Sequence, residues 1–159
     1  MSWEQVVNVA SAAWKIVESG KPSASVDHTT CNAVPHVDDW TNLQGARGPN
    51  IVRRLLRYTN GFTMDTVLVR LELRWEFGAR YNNAGAFIPN CWISVPECSV
   101  LWGYSLDLHV QVHNPTNAGS STAPNARLPL TISGSVSTPF WTDTVQWDYI
   151  LFGDGHYES

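Results

Sequence analysis

From Val67 to Phe77 the chain sets Val67, Val69, Leu71, Leu73, Trp75 and Phe77 at every second position, with Leu68, Arg70, Glu72, Arg74 and Glu76 between them. Apolar residues two apart share one side of a β-strand and scatter around a helix, so this run buries a face only as a strand. A strand with one apolar and one charged face needs an apolar layer on one side and water on the other. That requirement points to an antiparallel sheet in a sandwich. Asn60-Gly61 just ahead is a strong hairpin signal, because both residues tolerate the positive φ of a type I′ turn; Ile51 to Tyr58 and Thr63 to Phe77 are the expected arms.

The alternation recurs downstream. Ala86 to Val95 follows a turn at Asn82-Asn83-Ala84-Gly85, and Pro89 and Pro96 place it at an edge or a bulge. Ser99 to His113 reads as one long strand, with Tyr104, Leu106, Leu108, Val110 and Val112 inward and Asp107, His109, Gln111 and His113 outward. Leu128, Leu130, Ile132 and Val136 mark another, and Phe140 to Phe152 the last. Val26 falls in a short early strand, 32–50 and 114–125 read as surface connections, and 154–159 as a tail. The expected fold is all-β: a single domain over 1–159, with one antiparallel β-sandwich over 24–153 of about seven to eight strands, Greek-key, Ig-like or jelly-roll.

Ahead of the sandwich the period changes. Trp3, Val6, Val7, Ala10, Ala13, Trp14 and Val17 recur at helical spacing, opposite Glu4, Asn8, Ser11, Lys15 and Glu18. Ser2 with Gln5 makes a capping-box pattern, and Gly20 and Pro22 supply a stop. The spacing predicts an amphipathic α-helix over 2–19, whose face (Trp3, Val6, Val7, Ala10, Trp14, Val17) would contact the sandwich, a membrane or a second copy.

Only 15% of the residues are charged, and the net charge of −4 argues against nucleic acid as a partner. The start, Met1-Ser2-Trp3-Glu4, lacks a signal-peptide pattern, so the expected place of synthesis is the cytosol, with release, if any, by a non-classical route. Cys31, Cys91 and Cys98 form no CxxC pair, which disfavours a cysteine-rich metal site and leaves a Cys91–Cys98 bridge as one open pairing. No nucleophile elbow, phosphate loop or HExxH sequence occurs, so no catalytic residue, metal or cofactor is expected and the chain is read as a non-enzyme. His109 and His113 lie about 13 Å apart along a strand, too far to clamp one ion unaided. Arg47, Arg53, Arg54, Arg57, Arg70, Arg74 and Arg80 make the window from 47 to 80 net basic, against an acidic remainder. That asymmetry suits either a solvated hairpin face or a patch for an anionic ligand.

Tryptophan, at 8 residues, is the informative excess. Trp75, Trp102 and Trp147 fall in core registers, whereas Trp40 and Trp141 lie in or beside loops and Trp92 on a proline-flanked strand. An aromatic face beside Asp and Asn suits a sugar ring, so Asp38, Asp39, Trp40, Trp92 and Trp141 are the expected contacts of a lectin-like, carbohydrate-binding protein. The alternative is a membrane-active cytolysin whose N-terminal helix inserts in the bilayer; a third reading is an assembly module, a homo-oligomer formed through that helix. A helix attached to a compact β-sandwich resembles, in architecture alone, small cytolysins such as the actinoporins and small lectin-like proteins, and no residue role carries over.

Overall fold

A computed structural model describes residues 6–22, 29–35, 43–61 and 64–159. Its strands are β1 (Val6–Val7), β2 (Ala13–Glu18), β3 (Lys21–Pro22), β4 (Cys31–Pro35), β5 (Arg47–Thr59), β6 (Asp65–Phe77), β7 (Ala79–Tyr81), β8 (Ala84–Val100), β9 (Ser105–Val112), β10 (Thr116–Asn117), β11 (Ala126–Ser137), β12 (Thr142–Phe152) and β13 (Tyr157–Glu158). One sheet runs β1-β4-β8-β6-β5 with β7 on β8; the other runs β13-β12-β11-β9-β2-β3 with β10 on β11. All their ladders are antiparallel. The apolar faces of β6, β8 and β4 meet those of β9, β11 and β12 in one core, filled by Trp75, Ile88, Ile93, Leu108, Leu130, Ile132 and Tyr149. The molecule is a β-sandwich.

The alternating face of β6 is buried from Val67 through Trp75, as its sequence requires. Its pairing with β5 opens further out than expected: Thr59 pairs with Asp65, Asn60 N–H donates to Met64 O at 3.1 Å, and of Asn60 and Gly61 only Gly61 has a positive φ. Two-residue turns of the I′ kind fall elsewhere. Asn82 and Asn83, at φ 50° and 60°, join β7 to β8, and Ser19 and Gly20, at 51° and 81°, join β2 to β3.

The N-terminal helix over 2–19 is absent from its described part, which forms β1 and β2. Ile16 and Val17 are both buried, beside Leu106 and Leu108 in the core, and the ladder to β9 shifts between Lys15 and Val17. A bulge turns two neighbouring residues inward and erases the period-two pattern that would announce a strand. Residues with branched β-carbons at Val6, Val7, Val9, Ile16 and Val17 suit strands better than helix. Gly20 accordingly turns a hairpin and does not stop a helix. The architectural likeness to helix-bearing cytolysins falls with the helix.

Other segments depart from expectation in the same direction. Cys31–Pro35, expected in or beside a surface connection, is a fully buried strand. The tail folds back as β13 on Ile150 and Leu151, with the Tyr157 ring edge-on to Trp75 at 5.9 Å. Asn117 organises the 114–125 connection, its side-chain oxygen accepting Gly119 N–H at 2.8 Å and Asn125 N–H at 2.9 Å. Val26 lies outside the described residues.

Two predictions follow from this packing. Ile16→Ala should cost about 2–5 kcal/mol in urea unfolding, the range for deleting a buried branched side chain, whereas a detachable helix would show almost no change. Cys31 faces Cys91 across the β4–β8 ladder, and both are buried. The hydrogen bond to Cys31, with burial, pushes the Cys91 thiol well up. Directly opposed antiparallel residues have Cα atoms about 4.5–5.5 Å apart, inside the span a disulfide accepts. Cys98 sits roughly 23 Å along the same strand from Cys91, so the Cys91–Cys98 bridge is excluded by reach. Refolding with oxidised glutathione should join Cys31 to Cys91, releasing two reduced glutathiones per bridge, with Cys98 still alkylated in peptide mass spectra; a Cys91–Cys98 peptide would contradict this register.

Candidate functional site

Three connections meet at one end of the sandwich: the one between β5 and β6, of which residues 60, 61 and 64 are described, 101–104 between β8 and β9, and 138–141 between β11 and β12. Each is closed by local hydrogen bonds. Leu101 N–H donates to Thr66 O at 2.8 Å and Tyr104 N–H to Leu101 O at 3.0 Å, which ends β8 and starts β9 where the sequence reads as a single strand. Thr138 N–H donates to Trp141 O at 2.9 Å, and its hydroxyl oxygen accepts Phe140 N–H at 3.2 Å and Trp141 N–H at 3.3 Å. Held this way, the connections push apolar side chains outward. Trp102 is 95% exposed and Phe140 93%, with Met64, Leu101 and Trp141 also exposed.

Beneath these tips lies an aromatic brace. The Trp141 ring stacks on Tyr58 (centroids 6.1 Å apart, planes at 25°) and meets Tyr104 edge-on at 6.1 Å. Tyr58 Oη donates to Asp143 Oδ2 at 2.6 Å. Burial, then the hydrogen bond and the charge of Asp143, push the Tyr58 hydroxyl up to about 12. Asp143 thus stands beside the Trp141 platform with one oxygen already engaged. On the neighbouring strand ends Arg57 and Asp65 neutralise one another at 2.7 Å.

The sequence-predicted contacts do not converge. Trp141 belongs to the tip. Trp92 lies half-buried on the outer face of the first sheet, opposite Arg74, and the Arg74–Thr66 span of β6 alone puts it roughly 26 Å from the tip end. Asp38, Asp39 and Trp40 lie outside the described residues, as does Trp3. Of the expected helix face, Val6 and Val17 are core residues, Val7 and Trp14 are half-buried and Ala10 is exposed in a connection, so no contiguous apolar stripe exists there. Trp102, read from sequence as a core residue, is the most exposed aromatic among the described residues.

The remaining candidates are paired off. His109 Nε2 bonds Ser133 Oγ at 3.0 Å, and His113 Nε2 bonds Thr131 Oγ1 at 2.9 Å, whose hydroxyl donates to Asp148 at 2.6 Å. These bonds form a polar lattice on the outer face of the second sheet, and among the described residues no cluster of His, Cys, Asp and Glu offers a metal position. In the basic window Arg53 approaches Glu72 at 3.7 Å, Arg70 meets Glu97 at 2.8 Å, and Arg74 pairs with Glu72. Arg54 bonds the Tyr149 hydroxyl and sits over its ring. The outer face of the first sheet is thus largely self-neutralised.

Sequence reading assigns Trp102 to the core and gives Met64, Leu101 and Phe140 no role in a site. The available signal was the pair of short apolar-and-turn strings, Leu101-Trp102-Gly103 and Pro139-Phe140-Trp141, each interrupting an alternating run. Comparison with known proteins adds no family: no family model, curated protein or solved structure matches the chain.

The brace carries its own pH signature. A tyrosine raised from 10.0 to about 12 contributes stability present in full below pH 10 and lost as pH rises through about 12. A titration followed at 295 nm should show this late tyrosine, and Asp143→Asn should bring it part of the way back toward 10; an unchanged late step in that variant would disconnect it from Tyr58.

Proposed function

We propose that the protein is a non-enzymatic binding module that docks on lipid surfaces through its aromatic tip. The observation that carries this reading is the near-complete exposure of Trp102 and Phe140 on separate connections at one end, with Leu101 and Met64 beside them. Tryptophan and phenylalanine set on a rigid frame suit the boundary between headgroups and acyl chains, where an aromatic body is buried and backbone polar groups stay hydrated. Removing the two rings from water covers about 300–400 Å² of apolar surface, an upper limit of ~8–10 kcal/mol at full burial. Partial immersion is ample, since a tenfold gain in affinity takes only about 1.4 kcal/mol. Arg57, which flanks the tip, is neutralised by Asp65, so attachment is expected to rest mainly on apolar contact.

A lectin-like reading keeps one supporting observation. Trp141, propped between Tyr58 and Tyr104 with the Asp143 carboxylate alongside, has the flat face and acceptor that a sugar uses. It accounts for Trp141 but leaves Trp102 and Phe140 without a role. Insertion of an N-terminal helix and dimerisation through it have no structural basis, because β1 and β2 are built into the sheets.

Flotation with phosphatidylcholine vesicles tests the proposal. The wild type should float with the vesicles and show a blue shift of tryptophan emission, little changed between 50 and 500 mM salt (roughly threefold in screening length). Trp102→Ser and Phe140→Ser should each lower binding about tenfold without shifting Tm, since neither side chain is packed. Absence of flotation, or undiminished binding by the double variant, overturns it; displacement from erythrocytes by a single free sugar would move the assignment to Trp141, and concentration-dependent dimers lost in the variants would move it to self-association.

A further inference from the structure

The opposite end of the sandwich carries two arginines that the ion-pair lattice leaves out. Arg47 opens β5 and Arg80 sits in β7, and neither has a carboxylate within ion-pair distance among the described residues, whereas Arg53, Arg57, Arg70 and Arg74 each do. Both face a cavity of about 460 Å³ whose other walls are Gly45, Gly78, Gly85, Ala86 and Asp154. The Arg47 guanidinium is held over the Phe77 ring, 5.2 Å from its centroid.

The glycines bring this frame together. Gly45 and Gly78 have φ of 79° and 72°, and an added β-carbon at Gly78 would lie 3.1 Å from Nε and Nη2 of Arg47. At Gly45 it would lie 3.4 Å from Nη2 of Arg80. The guanidiniums therefore rest against bare backbone. The walls are cross-linked by main-chain bonds: Gln44 and Arg80 exchange a reciprocal pair at 2.8 and 2.7 Å, Gly78 N–H donates to Gly153 O at 2.7 Å, and Gly153 N–H to Ala126 O at 2.8 Å. Asp154, the one acid in the lining, is engaged elsewhere, by Asn125, by His156 N–H and by the His156 ring.

We propose that this cradle is an oxyanion site, in which the planar donor forks of Arg47 and Arg80 hold the carboxylate, sulfate or phosphate group of a small ligand. Guanidiniums that have no carboxylate partner among the described residues, set on a cross-linked frame, present their donors at little ordering cost, and a cavity of this size admits a monosaccharide-sized body behind the anionic group. The site lies at the far end from the aromatic tip and does not depend on the lipid-docking reading.

Amide and arginine Nε–H spectra of the nitrogen-15-labelled protein, titrated with inorganic phosphate at constant ionic strength, test it. Saturable shifts confined to Gly45, Arg47, Gly78 and Arg80 are expected, with affinity falling at least tenfold in Arg80→Gln and vanishing in the Arg47→Gln/Arg80→Gln double variant. Arg80→Lys, which keeps the charge and loses the fork, should lie between them, and Arg53→Gln, a paired arginine, should match the wild type. Parallel titrations with glucuronate and glycerol 3-phosphate separate an acidic sugar from a phosphate headgroup: the tighter names the source, and equal affinity means the oxyanion alone is read. Linear shifts spread over the surface, or equal affinity in wild type and a folded double variant, overturn the site.

Discussion

The interlocking of two apolar faces governs this molecule. Burying Val67 through Trp75 of β6 against Leu128 through Val136 of β11 and Leu106 through Val112 of β9 removes the greater part of the aliphatic surface from water in one step. Once those faces are committed, each intervening residue must point outward, and register follows, since a one-residue slip would turn the core to solvent. The polar lattice of His109, Ser133, Thr131 and Asp148 and the ion pairs of Arg53, Arg57, Arg70 and Arg74 occupy the faces left over. Exposed pairs of this kind contribute little to stability individually; they keep the outer faces soluble.

That division of labour frees the two ends. A frame whose stability resides in its layers tolerates unburied side chains in its connections, and the ends have opposite characters: one carries Trp102, Phe140 and the Tyr58–Trp141–Tyr104 brace, the other Arg47 and Arg80 among glycines. The Tyr58–Asp143 bond and the Thr138 turn stiffen the first, while main-chain bonds from Gly78 and Gly153 stiffen the second. Stiffness matters because a contact group already held in its bound position gives up less freedom on binding.

How far the sequence could be read depended on how regular each element is. β9, β6 from Val67 to Trp75 and β12 from Val145 to Leu151 alternate, and their inward residues were legible one by one. β2 was not, because its bulge places Ile16 and Val17 side by side in the core, and the remaining apolar positions happen to repeat at helical spacing. Ile16, which falls off that helical face, was the residue at odds with it. The tip was missed because Trp102 shares the inward parity of Val100 in β8 and of Leu106 in β9, and only the hydrogen bonds of Leu101 and Tyr104 show that the chain turns there. Trp141 was legible as a loop aromatic, but its partners Tyr58, Tyr104 and Asp143 come from three other stretches of chain.

By itself the sequence determined the class of the fold, because period-two hydrophobicity leaves a chain this poor in charge no other way to bury its apolar residues. It also determined the supply of tryptophan, of arginine and of turn residues such as Asn82-Asn83. Tertiary structure decided which aromatics are core and which are surface, that Cys91 faces Cys31 across a ladder, and that Arg47 and Arg80 share a cavity. Those are pairings between residues distant in the chain, set by sheet order and register, and a local pattern carries no information about which strand will lie beside which.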